Sequence, residues 1–365
     1  MKQTKFMRQL FAATAAATLL VQVAPAATFI QPANAPVVAL AQEETQVFTD
    51  DLGRDITLPA HVETILASGP NSQVVLYSIA PDKMVGWNSS PKPDALKYLP
   101  QEMADMPEVG SVFGKKELSK EEIINLNPDV IVDIGDKKDD IAETLDTLQD
   151  QTDVPVIFLD GNLDDLPTLY TRLGELLEKD VQNQVNYIEK LLTMANDNHE
   201  KAKEKDIKFY YAFGEDGTRT GAEGDFRTEV LEKVGLVNVF TKDQKDTVNS
   251  KEVSPEQIVE WQPEVVFFTD QEAFDQRAEA PWSETPAAET NQFYLIPNEP
   301  FNWVSGPKSI NALMGIPWLG HVFFNDLYNV DLIEEMKTFY QTFYHHELSD
   351  EQAQELLTHA LSSEQ

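Results

Sequence analysis

Residues 181–204 read VQNQVNYIEKLLTMANDNHEKAKE, and this stretch decides how the rest of the chain is arranged. Its apolar residues recur at steps of four, three, four and three positions, which places them on one face of an α-helix. They are Val181, Val185, Ile188, Leu192 and Ala195. A helix of this length spans roughly 35 Å, about the width of a small domain. It can therefore brace two lobes, although an ordinary surface helix is the alternative from this segment alone.

Two matching segments flank this helix and favour the bracing interpretation. Residues 119–132 (SKEEIINLNPDVIV) and residues 254–267 (SPEQIVEWQPEVVF) align without a gap, 135 positions apart. Each begins with a serine at a predicted helix N-cap and has Glu or Gln three residues later, which is the pattern of a capping box. Each predicted helix ends before a proline, Pro128 or Pro263, and leads into a short apolar strand. The repeat predicts two similar α/β lobes joined by one long helix.

The remaining periodicity is that of an α/β chain in which strands alternate with helices. A hairpin is expected over residues 48–58 about Gly53, a helix over 166–177, and several helices after Ser309. The strands are predicted at 64–67, 84–87, 130–133 and 156–159 in the first half and at 208–212, 237–239, 265–268 and 293–296 in the second. The predicted domains are an N-terminal lobe (42–180), the bracing helix (181–204) and a C-terminal lobe with the C-terminal helices (205–365).

Residues 1–41 are predicted to be a secretory signal peptide. Three basic residues precede an apolar run that begins near Leu10, and Ala39-Leu40-Ala41 places small residues at the cleavage positions. Cleavage after Ala35 is an alternative, and a transmembrane anchor is the alternative to a signal peptide. Polar residues and a proline interrupt the apolar run, which favours the signal peptide. The exported protein, periplasmic or outside the cell, would then begin near Gln42.

Composition excludes several classes of protein. The 365 residues allow about two domains, and a hydrophobic content of 42% is sufficient for real cores. The net charge is −34, and removal of the leader, which holds three cations and no acids, makes it −37. Nucleic acid is therefore an implausible partner. The absence of cysteine rules out a disulfide framework, a thiolate metal site and a lipid-modified N-terminal cysteine.

Aromatic, small and amide side chains follow the predicted strands in both halves. Ligands of open α/β sheets bind beyond the carboxyl ends of the strands, so these loops are the candidate site. Core packing is the alternative for any single aromatic residue, but recurrence after successive strands indicates a shared pocket. The candidate ligand-binding residues are Trp87, Asn88, Ser89, Ser111, Phe113, Phe213, Arg219, Arg227 and Trp303.

Several motifs together resemble the iron-chelate and vitamin B12 family of extracytoplasmic solute-binding proteins. They are the two segments above, DDLGRDITLP, GWNSSP, EVGSVFG, YYAFGEDGTRTGAEGDFRTEVLEKVGLVNV and PFNWVSGPKSINALMGIPWLG. The resemblance covers nearly all of the chain after the leader. It implies two α/β lobes joined by a long helix, a ligand bound in the cleft between them, and delivery to the permease dimer of an ABC importer in the membrane. It also implies that Glu121 and Glu256 meet arginines of the permease.

The chain departs from the pattern of this family in three places. It has no lipoprotein cysteine, it has Asp225-Phe226-Arg227 after TGAEG, and it has Ser305-Gly306 after the tryptophan of the last motif. Relatives carry ferric siderophores, haem, cobalamin, molybdate or tungstate. The identity of the ligand therefore cannot be carried over from the resemblance.

The expected ligand is instead argued from the candidate residues. They combine π-faces (Trp87, Phe213, Trp303) with cations (Arg219, Arg227). A large, partly apolar chelate with negative charge suits this mixture, because rings cover its organic shell and arginine forks meet its oxygens. We expect an iron chelate such as a siderophore. Molybdate or tungstate, which need mainly amide and hydroxyl donors, and haem or cobalamin are the alternatives.

Other classes of function have weaker support in the sequence. Neither a nucleophile with a base nor an HExxH or GxSxG motif is present, so an exported enzyme is a remote alternative. His345-His346-Glu347 could touch a metal, but in a C-terminal helix it is more typical of a solvated face. An adhesion protein is disfavoured by the lack of repeats and low-complexity tracts. We expect a monomer with no cofactor, no metal site and no enzymatic activity.

Overall fold

The structure is a computed structural model that describes residues 44–114 and 116–361. The predicted signal peptide, residues 1–41, lies outside the described residues. The strands are β1 (Thr45–Thr49), β2 (Asp55–Pro59), β3 (Ile65–Ala67), β4 (Val130–Gly135), β5 (Val156–Asp160), β6 (Lys208–Ala212), β7 (Val237–Asn238), β8 (Val265–Phe268) and β9 (Phe293–Leu295). The α-helices are α1 (Pro70–Ile79), α2 (Lys120–Leu126), α3 (Ile141–Thr152), α4 (Leu166–Leu177), α5 (Gln182–Lys203), α6 (Glu229–Lys233), α7 (Pro255–Trp261), α8 (Gln271–Asp275), α9 (Pro286–Glu289), α10 (Gly315–Phe323), α11 (Asn325–Tyr328), α12 (Leu332–Tyr344) and α13 (Asp350–Leu356).

Two parallel sheets of the same connectivity form the centres of the two lobes. In the N-terminal lobe the strand order is β3-β4-β5, and Met84 adds a single parallel bridge to the free side of β3. In the C-terminal lobe the order is β7-β6-β8-β9. Met84 thus occupies the place of β7, and the two halves repeat one topology. The predicted fold class, two similar α/β lobes joined by a long helix, is confirmed.

The predicted strand over residues 84–87 is wrong. Val85 N–H donates to Ile65 O at 3.0 Å, but two residues later Trp87 exchanges backbone hydrogen bonds with Pro107 and Val109 instead. The segment changes partner after one bridge, so no ladder is formed along β3. The apolar sequence of this segment does not show where it changes its pairing partner, because its side chains are buried with either partner.

The β1–β2 hairpin is antiparallel and turns at Gly53, whose φ of +78° suits glycine. Buried Asp50 holds it in place. Its carboxylate accepts hydrogen bonds from the guanidinium of Arg54, 2.6 Å away, and from the backbone N–H of Phe158 in β5. The hairpin predicted from residues 48–58 is confirmed, and it is fastened to the N-terminal sheet.

The helices α2 and α7 begin and end alike, but their N-caps differ. Ser119 makes the full capping box with Glu122, as predicted. Ser254 accepts a hydrogen bond from Gln257 N–H, but the Gln257 amide donates to Glu260 at 3.3 Å, so the second capping box is only half formed. That part of the prediction is wrong, because Gln257 finds a partner one turn further along its own helix.

The repeat extends beyond these helices to the strands they precede. Asp129, which follows Pro128, accepts hydrogen bonds from the backbone N–H groups of Glu63 and Thr64 just before β3. Glu264, which follows Pro263, does the same for Lys208 N–H at the start of β6. The acid of each matching segment therefore ties the central strand of its lobe to the neighbouring strand.

The helix α5 runs between elements of both lobes. Its apolar face is buried, including four of the five predicted positions within the helix, while Val181 is the N-cap. It packs against α4 of the N-terminal half and against α6, α10 and α11 of the C-terminal half. The C-terminal helices add a second connection, since α12 packs against α1 and α10 and Tyr77 Oη donates to Tyr344 O at 2.8 Å.

No helix in the described ranges is long and apolar enough to cross a membrane.

Candidate functional site

Two arginines and two phenylalanines form a stacked cluster beyond the end of β6. The Arg219 guanidinium carbon lies 4.9 Å from the centre of the Phe213 ring, and that of Arg227 lies 5.9 Å from the same ring. Arg227 also lies 4.4 Å from the ring centre of Phe226. We call Phe213, Arg219, Phe226 and Arg227 the arginine–phenylalanine cluster.

Backbone hydrogen bonds position this cluster. Phe213 N–H donates to Arg219 O at 2.8 Å and Arg219 N–H donates back to Phe213 O at 3.2 Å, which closes the loop after β6 and sets the guanidinium above the ring. Asp225 accepts a hydrogen bond from Arg227 N–H and pairs with its guanidinium at 3.0 Å. The local fold therefore places both cations on the same aromatic surface.

The two cations of the cluster differ in their ion pairing. Arg227 is paired with Asp225, whereas Arg219 is exposed and has no ion-pair partner among residues 44–114 and 116–361. Phe226 is 38% exposed, whereas the other phenylalanines of the described ranges are buried or half-buried. An apolar ring and an unpaired guanidinium are thus both accessible to a ligand.

A cavity of about 490 Å³ lies next to the cluster, between the lobes. Phe226 belongs to both the cluster and the cavity wall. The N-terminal lobe contributes the first turn of α1 and the loop after β4, and the C-terminal lobe contributes Phe226 and the loop after β9. The other lining residues are Pro70, Asn71, Asp136, Gly306, Pro307 and Lys308. We call this space the inter-lobe cavity.

Two buried asparagines hold the loop after β9 in shape. Asn302 Oδ1 accepts hydrogen bonds from the backbone N–H groups of Val304 and Ser305, at 3.0 and 2.9 Å. Asn311 Nδ2 donates to Asn302 O and to Pro307 O. Ser305 Oγ lies 2.7 Å from Tyr211 Oη, whose pKa burial raises to about 12, so the tyrosine is neutral. The loop that carries Lys308 is therefore a fixed wall of the cavity.

A second cavity of about 450 Å³ lies at the same end of the N-terminal sheet, and Pro70, Asn71 and Asp136 border both cavities. Ser68 Oγ donates a hydrogen bond to Asp133, and Ser72 Oγ accepts one from Ile134 N–H at 2.9 Å. Burial raises the pKa of Asp133, and the hydrogen bond from Ser68 partly opposes this. Three aspartates (Asp133, Asp136 and Asp140), one lysine (Lys138) and occupied hydroxyls line this cavity, so it is poorly suited to an anion.

A family model described as periplasmic binding protein matches residues 65–300, more than half of the chain. The chain belongs to the periplasmic binding protein family. The match confirms the family predicted from the motifs, the iron-chelate and vitamin B12 type of solute-binding protein. Its members are solute-binding proteins of ABC transporters that act outside the cytoplasm, and they are not enzymes.

Similar proteins bind unlike ligands. A vitamin B12-binding protein of Vibrio parahaemolyticus is 24% identical over 263 residues, which cover 70% of this chain and 88% of that protein. An ABC transporter solute-binding protein from Sulfurospirillum deleyianum has a TM-score of 0.75 at 24% identity and covers 86% of this chain and 99% of its own. A molybdate periplasmic binding protein of Haemophilus influenzae has a TM-score of 0.62 at 19% identity, covering 83% and 99%. These likenesses show the fold and leave the ligand of this family member open.

Two of the predicted binding residues are part of the core instead. Trp87 and Trp303 are fully buried. The Trp87 indole N–H donates to Met103 O and its ring packs on Tyr77, while the Trp303 indole N–H donates to the hydroxyl of Tyr340. Neither indole presents a free face to the cleft, so their prediction as stacking surfaces is corrected.

The predicted residues of the N-terminal lobe lie at the correct end of the sheet, but most have structural roles. Asn88 is buried and its amide donates to Ala67 O and Gly110 O, which joins two loops. Ser111 is buried and bonded through its backbone to Lys116, and Ser89 is exposed. Phe113 lines the second cavity. Only Phe213, Arg219 and Arg227 are brought together, in the arginine–phenylalanine cluster.

Three residues of the site were not singled out from the sequence: Asp136, Phe226 and Lys308. All three stand in loops after predicted strands, and two are charged. The signal for Asp136 and Lys308 is that they carry opposite charges in strand-end loops of different lobes. Sequence alone does not show that these two loops meet.

The two predicted docking acids of this periplasmic binding protein, Glu121 and Glu256, are exposed in the first turns of α2 and α7. Neither carboxylate has a hydrogen-bond or ion-pair partner within the part of the chain that the structure describes. Both are therefore free to meet a charged partner.

The histidine pair considered as a metal site lies beyond the end of α12 rather than within a helix. His345 Nε2 is 3.3 Å from Tyr77 O, and His346 Nε2 is 3.3 Å from Gln352 Oε1. In the described ranges no group of three or more His, Asp or Glu side chains is placed to hold a metal ion.

Proposed function

We propose that this protein is the substrate-binding component of an ABC importer that captures an anionic iron chelate and delivers it to the permease. The observation that carries the proposal is the arginine–phenylalanine cluster, whose Phe226 ring also lines the inter-lobe cavity. A chelate has an organic shell and negatively charged oxygens. Phe226 can cover the shell, and the planar guanidinium groups can donate paired hydrogen bonds to the oxygens.

Molybdate is the second candidate, because Ser68 and Ser72 lie at the start of α1, where backbone N–H groups favour anions. Ser68 already donates to Asp133, and Asp136 borders the same cavity. Three aspartates line this cavity against one lysine, Lys138, and this excess of negative charge disfavours a small doubly charged oxyanion. The chelate is therefore the preferred ligand, and haem and cobalamin are the remaining alternatives to be tested.

The ligand class is tested by calorimetric titration of the exported form with ferric siderophores, haem, cobalamin and molybdate. We expect a ferric chelate to bind in about the micromolar range or tighter. Arg227→Ala should weaken binding by roughly 1.5 to 3 kcal/mol, as for hydrogen bonds to charged groups. Arg277→Ala is the matched control, since Arg277 also stacks on a phenylalanine, 4.1 Å from the Phe274 ring, but lies outside the arginine–phenylalanine cluster. Tight binding of molybdate with no response to any chelate would overturn the assignment.

Docking on the permease is proposed for Glu121 and Glu256. Two unpaired carboxylates at matching places on twin lobes suit charge-assisted pairs with two arginine sites of a permease dimer. Glu121→Ala with Glu256→Ala should abolish uptake in cells while the affinity for ligand stays the same. The matched control is Glu143→Ala with Glu272→Ala, which removes two exposed acids from the first turns of α3 and α8. Normal uptake by the Glu121/Glu256 double variant would contradict this role.

Export and domain division complete the proposal. The signal peptide is removed after about residue 41, and the mature protein is a monomer with lobes at 42–180 and 205–365 about the helix 181–204. N-terminal sequencing of the exported form tests the first point. A product that still begins at Met1 in the membrane fraction would contradict it.

A further inference from the structure

An ion pair joins the lobes at the wall of the inter-lobe cavity. Lys308 Nζ lies 2.5 Å from Asp136 Oδ1, across 172 positions of sequence. The Lys308 side chain is only 10% exposed, whereas that of Asp136 is 52% exposed. Next to it, Ser309 Oγ donates to Asn71 O at 3.1 Å, also across the gap. The buried cation and its exposed partner thus belong to different lobes.

The surroundings of Lys308 make a negative partner necessary. The remainder of the cavity wall is largely apolar, with Pro70, Phe226 and Pro307. A buried ammonium group that loses its partner pays a large desolvation cost. The half-buried Glu229 is the other acid that interacts with Lys308, and burial raises its pKa, which weakens it as a counter-charge. Asp136 is therefore the main counter-charge of Lys308 in the absence of ligand.

Asp136 and Lys308 differ in how well water can solvate them when the ion pair breaks. Asp136 is half exposed, so water can solvate its carboxylate when it moves away from Lys308. Lys308 is on the fixed loop after β9 and remains in the cavity wall. Exchange of one anion for another at Lys308 costs little, because the buried cation stays paired throughout and the carboxylate that leaves is solvated by water.

We propose that Lys308 is a ligand-binding cation and that Asp136 occupies its site until an anionic group of the ligand displaces it. This inference rests on the proposed function and deepens it. It makes the site selective, because only a ligand that brings a negative group leaves Lys308 paired. An uncharged ligand of the same size must either leave Asp136 in the cavity or leave a buried cation without a partner.

The competing explanation is that the ion pair only holds the lobes together. The two explanations predict different signs for the changes in ligand affinity when Asp136 or Lys308 is replaced. If the ion pair only holds the lobes together, removal of either charge opens the same latch and changes affinity in the same direction. If Asp136 competes with the ligand, its removal strengthens binding and removal of Lys308 weakens it.

The chain offers a matched control in a second inter-lobe pair. Lys233 Nζ lies 2.6 Å from Asp164 Oδ1, with side chains 14% and 67% exposed. It has the same arrangement of a buried lysine and an exposed aspartate, but neither residue lines the inter-lobe cavity. Its variants should leave the affinity for ligand unchanged.

The experiment titrates the wild type, Asp136→Asn, Lys308→Met, Asp164→Asn and Lys233→Met with two iron complexes of similar size. One is an anionic ferric tris-catecholate and the other an uncharged ferric tris-hydroxamate. For the anionic complex, Asp136→Asn should tighten binding by roughly two- to fivefold, and Lys308→Met should weaken it by roughly ten- to a hundredfold. The wild type should prefer the anionic complex, and Lys308→Met should lose that preference.

The outcomes separate this inference from the proposed function. Suppose that the wild type binds an iron complex, but that Asp136→Asn and Lys308→Met change its affinity in the same direction or not at all. That result overturns the inference and leaves the proposed function in place. Equal effects of the Asp164 and Lys233 variants overturn it as well. If the wild type binds neither complex, the proposed function fails and this inference fails with it.

Discussion

Asp133 is the residue whose burial has the clearest consequence for stability. Desolvation raises the pKa of its carboxyl group above the ordinary value, and the hydrogen bond from Ser68 only partly offsets this. A raised folded-state pKa means that the unfolded chain releases this proton more easily. The contribution of Asp133 to stability is therefore full below the ordinary carboxyl pKa and is lost as pH rises through the folded-state pKa.

Asp133→Asn should consequently stabilise the protein at neutral pH, because an amide keeps the hydrogen bond from Ser68 without a buried charge. Thermal unfolding at neutral pH and below the ordinary carboxyl pKa measures the effect. The unfolding temperature of the variant should exceed that of the wild type at neutral pH, and the difference should shrink in acid. A variant less stable than the wild type at neutral pH would contradict this reasoning.

Residue types in strand-end loops were predictable, but the exposure of each side chain was not. Phe213, Arg219 and Arg227 are close in sequence, and the loop after β6 brings them together by local hydrogen bonds. Trp303 is buried against Tyr340, 37 positions further along the chain, and Trp87 is buried against Tyr77 and Met103 in other segments of its lobe. Local pattern therefore found three of the four residues of the cluster and misplaced the tryptophans.

At the scale of elements, the two matching helices make a quantitative comparison possible. Ser119→Ala and Ser254→Ala should each lower the free energy of unfolding by about 1 kcal/mol, as for other N-cap serines. The loss should be larger at Ser119, because its capping box is complete and it also holds Glu122, whose pKa is lowered by that contact. Urea denaturation measures both values.

Ser283→Ala is the control for these variants, because Ser283 is exposed and caps no α-helix. It should leave stability almost unchanged. A loss at Ser254 greater than at Ser119 would contradict the difference between the two caps.

The repeat explains why most elements were predictable. Both halves contain a capping serine, then a proline, then an apolar strand. Each of these features determines the structure of residues next to it in sequence. The segment 84–87 was not predictable in the same way, because its pairing depends on Pro107 and Val109 in a distant loop. The connection made by α12 could not be predicted either. The apolar face of a helix shows that the helix is packed, but not which helices it packs against.

At the scale of the whole molecule, two connections limit the movement of the lobes. The helix α5 contacts both halves, and α12 joins α1 to α10 in parallel with it. The hydrogen bond from Tyr187 Oη to Glu335, at 2.6 Å, fastens the two helices to each other. Such bracing resists hinge motion, which usually requires a few flexible residues between domains.

Ligand binding should therefore close the cleft only slightly. Small-angle scattering with and without a bound ferric chelate should give nearly the same radius of gyration. A large fall on binding would show that the lobes rotate as in hinged binding proteins, and it would contradict the bracing role of α5.

The most direct test of the central claim is a crystal structure of the protein with a ferric tris-catecholate. The complex should lie between the lobes, with its oxygens facing Arg219, Arg227 and Lys308 and its rings against Phe226. Asp136 should have left Lys308. A chelate bound away from the arginine–phenylalanine cluster, or contacting Lys308 while Asp136 still pairs with it, would contradict the account.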